Sequence, residues 1–171
     1  IVNGVNLTDG LDGLNSGVTL IVMSAFALIA NNFIKVDSSY TGIVIVSAAT
    51  AGACLGFLRY NAHPAKIFMG DTGSLALGGM LAAVAVCTSS IFVLPIIGGI
   101  YIAEILSVII QVSYYKRTKK RIFKMAPIHH HFELKGLPEP LIVVRAWIIQ
   151  VIIFVISFIL INFFTIQNFF S

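Results

Sequence analysis

The chain has 171 residues, of which 58% are hydrophobic and only 11% are charged, and its mean hydropathy is +0.97. A soluble domain carries about 25% charged residues, so this composition excludes a water-soluble globular domain and a disordered chain. The net charge of +4 would suit nucleic acid, but the basic residues lie in loops between long apolar blocks, which is typical of a polytopic membrane protein without a nucleic-acid partner.

Five apolar segments predict membrane-spanning helices, because a bilayer core of about 30 Å takes roughly 20 helical residues. In chain order they cover about residues 16–33, 41–58, 74–87, 91–115 and 141–164. The chain opens on polar, Gly-rich sequence, so no cleavable targeting segment is expected at its start. Cys54 and Cys87 lie inside apolar segments and are interpreted as small apolar residues, not as disulfide or metal ligands. Residues 1–171 are therefore predicted to form a single all-α transmembrane domain.

The basic loops predict the orientation of the helices. One side is predicted to carry nine basic residues and the other only Lys35, so the positive-inside rule makes the first side cytoplasmic. The nine are Arg59, Lys66, Lys116, Arg117, Lys119, Lys120, Arg121, Lys124 and Lys135. The polar clusters that could carry chemistry all fall on the same side, which predicts a cytoplasmic active-site cleft.

The first polar cluster precedes the first span and repeats a polar residue every third position. Asn3, Asn6, Asp9 and Asp12 thereby share one face of a tight helical turn. Carboxylates beside amides supply hard oxygen ligands for a cation, or acceptors for sugar hydroxyls and base N–H groups. The alternative is a polar helix end with capping Asp residues.

The second cluster, Asn61 to Ser74, ends where the third span begins. Gly70 and Gly73 allow backbone N–H groups to approach an anion, and Lys66 adds a positive charge. This pattern suits a phosphate with Asp71 as a ligand of a bridging Mg²⁺, while Phe68 offers a face on which a base can stack. The alternative for Asp71 is an N-cap of the third span.

The third cluster places His129, His130 and His131 together on a basic loop. Three consecutive His side chains cannot all chelate one metal from a regular element, so phosphate contacts or proton transfer suit them better than zinc. A plain loop cluster at the lipid headgroups is the alternative.

Glu104 lies about halfway along the fourth predicted span, where an ionisable group indicates function. Gln111 follows seven residues later on the same face. The alternative is an interhelical hydrogen bond at a packing seam. Pro95, Gly98 and Gly99 are expected to bend this helix and open a groove for lipid.

Three runs of the sequence resemble one family. The runs 6–13 (NLTDGLDG), 68–74 (FMGDTGS) and 127–133 (PIHHHFE) are similar to the phospho-N-acetylmuramoyl-pentapeptide transferases (translocase I), a branch of the polyprenyl-phosphate N-acetylhexosamine-1-phosphate transferases. The resemblance implies a Mg²⁺-dependent enzyme of the bacterial plasma membrane. Such an enzyme transfers phospho-MurNAc-pentapeptide from UDP-MurNAc-pentapeptide to undecaprenyl phosphate, giving lipid I and UMP in peptidoglycan biosynthesis.

The resemblance also implies roles for individual residues. Asp71 would be the essential acid and, with Asn6, a Mg²⁺ ligand, while His129, His130 and His131 would close the site on the sugar-phosphate side. The expected substrate contacts are Asn3, Asn6, Asp9, Gly10, Leu11, Asp12, Asn61, Lys66, Phe68 and Gln111, with Asn61 and Phe68 holding the uracil.

The family has about ten spans, so the resemblance covers its C-terminal half. The N-terminal half, which carries an Asp-Asp pair needed for catalysis, is expected in the same polypeptide or in another chain, and a homodimer is implied as well. Two alternative functions remain: a related transferase acting on another UDP-N-acetylhexosamine, and an ion-coupled transporter that uses Glu104 and the His cluster.

Overall fold

The computed structural model describes residues 1–34 and 37–170, with side chains described through residue 161, and all regular elements in this part of the chain are helices. They are α1 Val2–Leu7, α2 Leu14–Phe33, α3 Tyr40–Asn61, α4 Gly70–Cys87, α5 Leu94–Ile97, α6 Gly99–Thr118, α7 Ile128–Glu133 and α8 Glu139–Phe170. The predicted all-α fold class is therefore confirmed. Lys35, the basic residue expected on the opposite side of the membrane, lies outside the described residues.

Four helices of the described chain are long and apolar enough to cross a membrane: α2, α3, α4 and α8 over Glu139–Ile161. They correspond to the first, second, third and fifth predicted spans. The structure divides the fourth predicted span, 91–115, into the two helices α5 and α6, so a crossing of the membrane by this segment stays a prediction. Glu104, Gln111 and the basic last turn of α6 make that helix less apolar than the other four.

The break between α5 and α6 has an identifiable cause. Pro95 lies in the first turn of α5, which begins at Leu94, and Gly98 leaves helical geometry with φ −92° and ψ 38°. Gln150 of α8 reaches into the gap, where its Nε2 donates to the carbonyl of Ile97 and its Oε1 accepts the N–H of Ile100 at 3.3 Å. These bonds satisfy backbone groups that the helix break would otherwise leave unpaired in an apolar interior.

The α2 helix forms the centre of the bundle. Val18, Val22 and Phe26 are fully buried, because α2 packs against α3 on one side and α8 on another. A helix that is apolar all round is expected in such a position. The outer helices keep apolar residues at the surface, for example Ile45 at 62% and Ile159 at 60% exposure. These faces are suited to contact with lipid.

The helix connections bring three polar segments to one end of the bundle. The turn from α1 to α2 covers residues 8–13, the loop from α3 to α4 covers 62–69, and the connection from α6 to α8 contains α7. Asn61 holds the loop from α3 to α4 against α2, because its amide accepts the Ser16 hydroxyl at 2.8 Å and donates to the Ile67 carbonyl at 3.0 Å. The three segments predicted to share one side of the membrane are thus neighbours in space.

Candidate active site

A cavity of about 410 Å³ lies where these three segments meet. Its walls come from all three sequence clusters, which lie up to 124 residues apart in the chain. The lining residues are Asn6, Leu7, Asp9, Gly10, Leu11, Asp12, Asn61, Phe68, Met69, Gly70, Asp71, Pro127, His129 and His130. The cavity is open to solvent and carries carboxylates on one wall and imidazoles on another, so it is suited to a polar, charged ligand.

Asp71 lies in the first turn of α4 and points towards α1. Its Oδ1 accepts a hydrogen bond from Nδ2 of Asn6 at 3.0 Å, and the same amide donates to Ser74 Oγ at 2.9 Å. Asn6 therefore orients the Asp71 carboxylate. The role of Asn6 as a metal ligand stays a prediction, because the atom it presents to Asp71 is its amino group, which has no lone pair for a cation.

Asp9 is a second carboxylate beside Asp71. The pKa of Asp9 is raised to about 6, chiefly because burial disfavours the charged carboxylate. The hydrogen bonds from Asn15 and the Gly70 backbone lower this pKa, and the negative charge of Asp71 raises it. Two carboxylates close enough to repel each other make a site for a positive charge.

The donor set at this wall fits Mg²⁺. Mg²⁺ prefers carboxylate oxygens, usually one or two of them together with substrate phosphates and water. Asp9 and Asp71 supply two such carboxylates on an open cavity. A divalent cation held by both would offset the negative charge of Asp71, which adds to the effect of burial in raising the pKa of Asp9. These two residues would hold the ion.

The structure does not support the capping alternatives for the acidic residues. The N-cap of α4 is Met69, and no side chain caps the helix, because the Asp71 carboxylate is bonded to Asn6 instead. The N-cap of α2 is Gly13, in the left-handed conformation with φ 80°, again without a side-chain cap. Neither α2 nor α4 is therefore capped by an acidic side chain.

Asn61 and Phe68, the residues expected to hold uracil, both line the cavity. Phe68 is 74% exposed, so its ring offers an open face for a flat base. Asn61 differs, because it is buried and both ends of its amide already bond to Ser16 and Ile67. Its contact to uracil stays a prediction.

His129 forms the most buried part of the opposite wall, with 2% of its surface exposed. Its Nδ1 lies 3.1 Å from Oε2 of Glu104, at ion-pair distance but outside hydrogen-bond alignment. The same Glu104 oxygen accepts the N–H of Ile128 at 2.9 Å, so Glu104 fixes the first turn of α7. The Nε2 of His129 has no hydrogen-bond partner among the described residues and faces Gly10, where an added Cβ would lie only 2.4 Å away.

The other two histidines diverge. His130 lines the cavity, and its Nδ1 lies 2.5 Å from Glu133 Oε2. His131 points away, where its Nδ1 accepts the backbone N–H of Lys124 at 3.0 Å. Partial desolvation lowers the pKa of His131, and the ammonium groups of Lys135 and Lys124 lower it further. His131 therefore braces the loop, and its predicted catalytic role finds no support in its position.

Three predicted substrate contacts lie away from the cavity walls. Asn3 and Lys66 are exposed and do not line it. Gln111 is bonded to the loop after α6: its Oε1 accepts the N–H groups of Ile122 and Phe123, and its Nε2 donates to the Phe123 carbonyl. The sequence left Gln111 open between a functional role beside Glu104 and an interhelical hydrogen bond, whereas the structure gives it a loop-anchoring role.

Several residues at the site were missed by the sequence interpretation. Met69, Leu7 and Pro127 line the cavity. His63 and Glu139 contact Asp12 at its rim, with His63 Nδ1 at 3.2 Å from Asp12 Oδ2 and the Asp12 N–H donating to Glu139 Oε1 at 2.6 Å. The only sequence signal was that His63 and Glu139 are polar residues beside prolines in the basic loops.

Comparison with known proteins identifies similar sequences. The family model described as Glycosyl transferase family 4 matches residues 1–89, just over half of the chain. The protein of Clostridioides difficile (strain 630) named phospho-N-acetylmuramoyl-pentapeptide-transferase is 59% identical over 159 residues, which is 93% of this chain and 48% of that protein.

Proteins of the same name from other bacteria are similar as well. That of Desulforamulus reducens is 55% identical over 148 residues, covering 86% of this chain and 43% of the relative. That of Bifidobacterium adolescentis is 49% identical over 170 residues, covering 92% of this chain and 47% of the relative. The chain thus spans about half the length of the curated relatives it matches.

Proposed function

Because the chain belongs to glycosyl transferase family 4, we propose that it forms part of an enzyme of peptidoglycan synthesis. The complete protein would transfer phospho-MurNAc-pentapeptide from UDP-MurNAc-pentapeptide to undecaprenyl phosphate, with lipid I and UMP as products. The names of relatives at 49–59% identity support this reaction. Since the chain spans about half of those relatives, the proposal concerns the complete protein, including the N-terminal half.

The observation that carries the proposal is the convergence of three distant segments on one cavity. Asp9, Asp71 and His130 come from different parts of the chain and line the same space. Phosphoryl transfer needs positioning and charge neutralisation more than covalent chemistry from the protein. A wall of carboxylates facing a wall of imidazoles, with an exposed aromatic ring at the rim, supplies both.

Each residue of the cavity has a role in the proposed reaction that follows from the chemistry of its side chain. Mg²⁺, when bound at Asp9 and Asp71, would neutralise charge on the diphosphate. Asn6 holds the Asp71 carboxylate in place through the 3.0 Å hydrogen bond. Phe68 offers its face to the uracil, and His129 with His130 would donate hydrogen bonds to the sugar-phosphate side. Glu104 holds His129 in position through the ion pair at the His129 Nδ1.

The location follows from the helices and the charges. Four helices of the described chain are long and apolar enough to cross a membrane, which supports a location in the bilayer. The basic loops border the cavity end, so this end would face the cytoplasm of a bacterial cell. The nucleotide-sugar would then enter from the cytoplasm and undecaprenyl phosphate from the membrane, and a homodimer remains an expectation from the resemblance.

The transporter alternative is not favoured. A proton or ion path would need polar groups through the depth of several helices. Glu104, the ionisable group expected there, is bonded to the N–H of Ile128 and paired with His129 at the cavity wall. Its position supports the active site instead.

A reconstitution assay tests the proposed function. The complete protein is supplied with UDP-MurNAc-pentapeptide, undecaprenyl phosphate and Mg²⁺, and UMP release is compared between the wild type, Asp71→Asn and Asp37→Asn. Asp37 is a matched control, because its carboxylate caps the N–H of Ser39 on a loop outside the cavity. We expect loss of UMP release in Asp71→Asn alone; unchanged release in that variant would exclude Asp71 from the reaction.

A further inference from the structure

A second group of potential metal ligands is formed by Asp12, which lines the cavity, together with His63 and Glu139, which contact Asp12. Asp12 precedes α2, His63 follows α3 and Glu139 begins α8. One ligand atom from each of these side chains lies within 4.8 Å of the other two. We propose that Asp12, His63 and Glu139 bind a transition-metal ion of the zinc class.

The distances between the ligand atoms fit a small tetrahedral ion. His63 Nδ1 lies 3.2 Å from Asp12 Oδ2 and 3.5 Å from Glu139 Oε2. Ligands about 2.0–2.1 Å from a tetrahedral Zn²⁺ are separated by roughly 3.3–3.4 Å from one another. A direct charge-assisted hydrogen bond would bring the atoms closer, to about 2.7–2.9 Å. The two distances from His63 Nδ1 are therefore closer to the separation of two ligands on such an ion than to a direct hydrogen bond.

Both carboxylates are held in the orientation that such an ion needs. The N–H of Ala65 donates to Asp12 Oδ2 at 2.9 Å, and the N–H of Asp12 donates to Glu139 Oε1 at 2.6 Å. Glu139 therefore keeps its other oxygen, Oε2, towards His63. Outer hydrogen bonds of this kind orient metal ligands and raise metal affinity.

The ligand set selects the class of metal. One imidazole with two carboxylates suits Zn²⁺ and similar ions, whereas Mg²⁺ prefers oxygen ligands alone. Three protein ligands leave a fourth position open to water, and the His63 side chain, 43% exposed, leaves a path for the ion to enter. The bound ion would tie the start of α2, the loop after α3 and the start of α8 together.

The test measures metal binding directly and does not depend on the proposed transferase activity. The complete protein is freed of metal with a chelator, supplied with Mg²⁺ in excess and titrated with Co²⁺, whose visible absorption bands report tetrahedral coordination. The variants His63→Ala and Glu139→Gln are compared with His131→Ala, which removes a histidine outside the cluster. The amide oxygen of Glu139→Gln can still accept the Asp12 N–H, so this variant loses the negative charge of the metal ligand but keeps the hydrogen bond that supports the fold.

We expect one equivalent of tetrahedral Co²⁺ per chain in the wild type and in His131→Ala, and at least tenfold weaker binding in the two cluster variants. Zn²⁺ should displace Co²⁺ and raise the Tm of the wild type but not of Glu139→Gln. Equal Co²⁺ spectra in wild type and both cluster variants would overturn the proposal. A wild type without tetrahedral Co²⁺ would also overturn it and leave His63 as an ion-pair partner of the two carboxylates only.

Discussion

The contact between Gly10 and His129 gives the most sharply defined prediction. A Cβ added at Gly10 would lie 2.4 Å from Nε2 and 3.0 Å from Cε1 of His129. To restore ordinary contact of about 3.4 Å, the imidazole must move by about 1 Å. His129 is buried and pinned by Glu104 at its Nδ1, so the movement would carry the ring out of its position in the cavity wall.

The expected effect of Gly10→Ala is a large loss of activity with little loss of fold. A misplacement of about 1 Å in an active site costs on the order of 10²-fold in rate, or about 2.7 kcal/mol of transition-state stabilisation. The assay is UMP release by the complete protein, with thermal unfolding measured in parallel. Gly79→Ala is the matched control, because a Cβ at Gly79 has nothing within 4 Å.

A double-mutant cycle separates this mechanism from a general disturbance of the turn. If Gly10→Ala acts by displacing His129, it should cost little more once His129→Ala has removed the ring. Full activity in Gly10→Ala would refute the steric argument, and so would an equal loss in the presence and absence of the imidazole.

Four further predictions concern charge, pH and the helix break. Glu104→Ala should lower the free energy of unfolding by about 1–3 kcal/mol, because it leaves buried polar groups around His129 unpaired; an unchanged Tm would contradict this. The raised pKa of Asp9, about 6 against an ordinary 3.8, means that the metal-free folded state binds the extra proton, so stability should fall as pH rises from about 4 through 6. For the same reason, apparent Mg²⁺ affinity should drop as pH falls through about 6, and Asp71→Asn should shift this dependence to lower pH by removing the repulsive charge; a Mg²⁺ titration that is flat across this range would count against the assignment. Gln150→Ala should destabilise the protein by about 1–3 kcal/mol, since the backbone groups at the junction of α5 and α6 lose their partners, and thermal unfolding checks this.

Much of the fold could be predicted from sequence because the signals are local. Long apolar runs determine where spans form, and four of the five predicted segments correspond to α2, α3, α4 and α8. The division of 91–115 into α5 and α6 has a non-local cause. Pro95 and Gly98 indicated a bend, but the complete break depends on Gln150, which lies more than 50 residues later and bonds to the gap.

The candidate site was also predicted only in part, because some of its contacts have no local signal in the sequence. The polar register of Asn6, Asp9 and Asp12 and the run around Asp71 were sufficient to predict one pocket, and these residues line it together. The assignments of His131 and Gln111 fail to find support because their side chains bond to a loop whose path sequence spacing does not reveal.

The role of Glu104 was left open between function and packing for a related reason. Its partner His129 is 25 residues away, and the pair forms only when α7 folds back onto α6. A long-range ion pair of this kind has no periodic signature in the sequence. The same holds for Asp12, His63 and Glu139 at the cavity rim.

Equilibrium binding of the nucleotide-sugar tests most directly whether three distant segments form one binding site. Calorimetry with the complete protein would measure the affinity for UDP-MurNAc-pentapeptide with Mg²⁺ and with chelator, for Asp9→Asn, Asp71→Asn, His130→Ala and the control Asp37→Asn. We predict that each of the first three variants weakens Mg²⁺-dependent binding at least tenfold, about 1.4 kcal/mol, while the control binds as the wild type does. Wild-type affinity in any one of those three variants would contradict a single site built from all three segments.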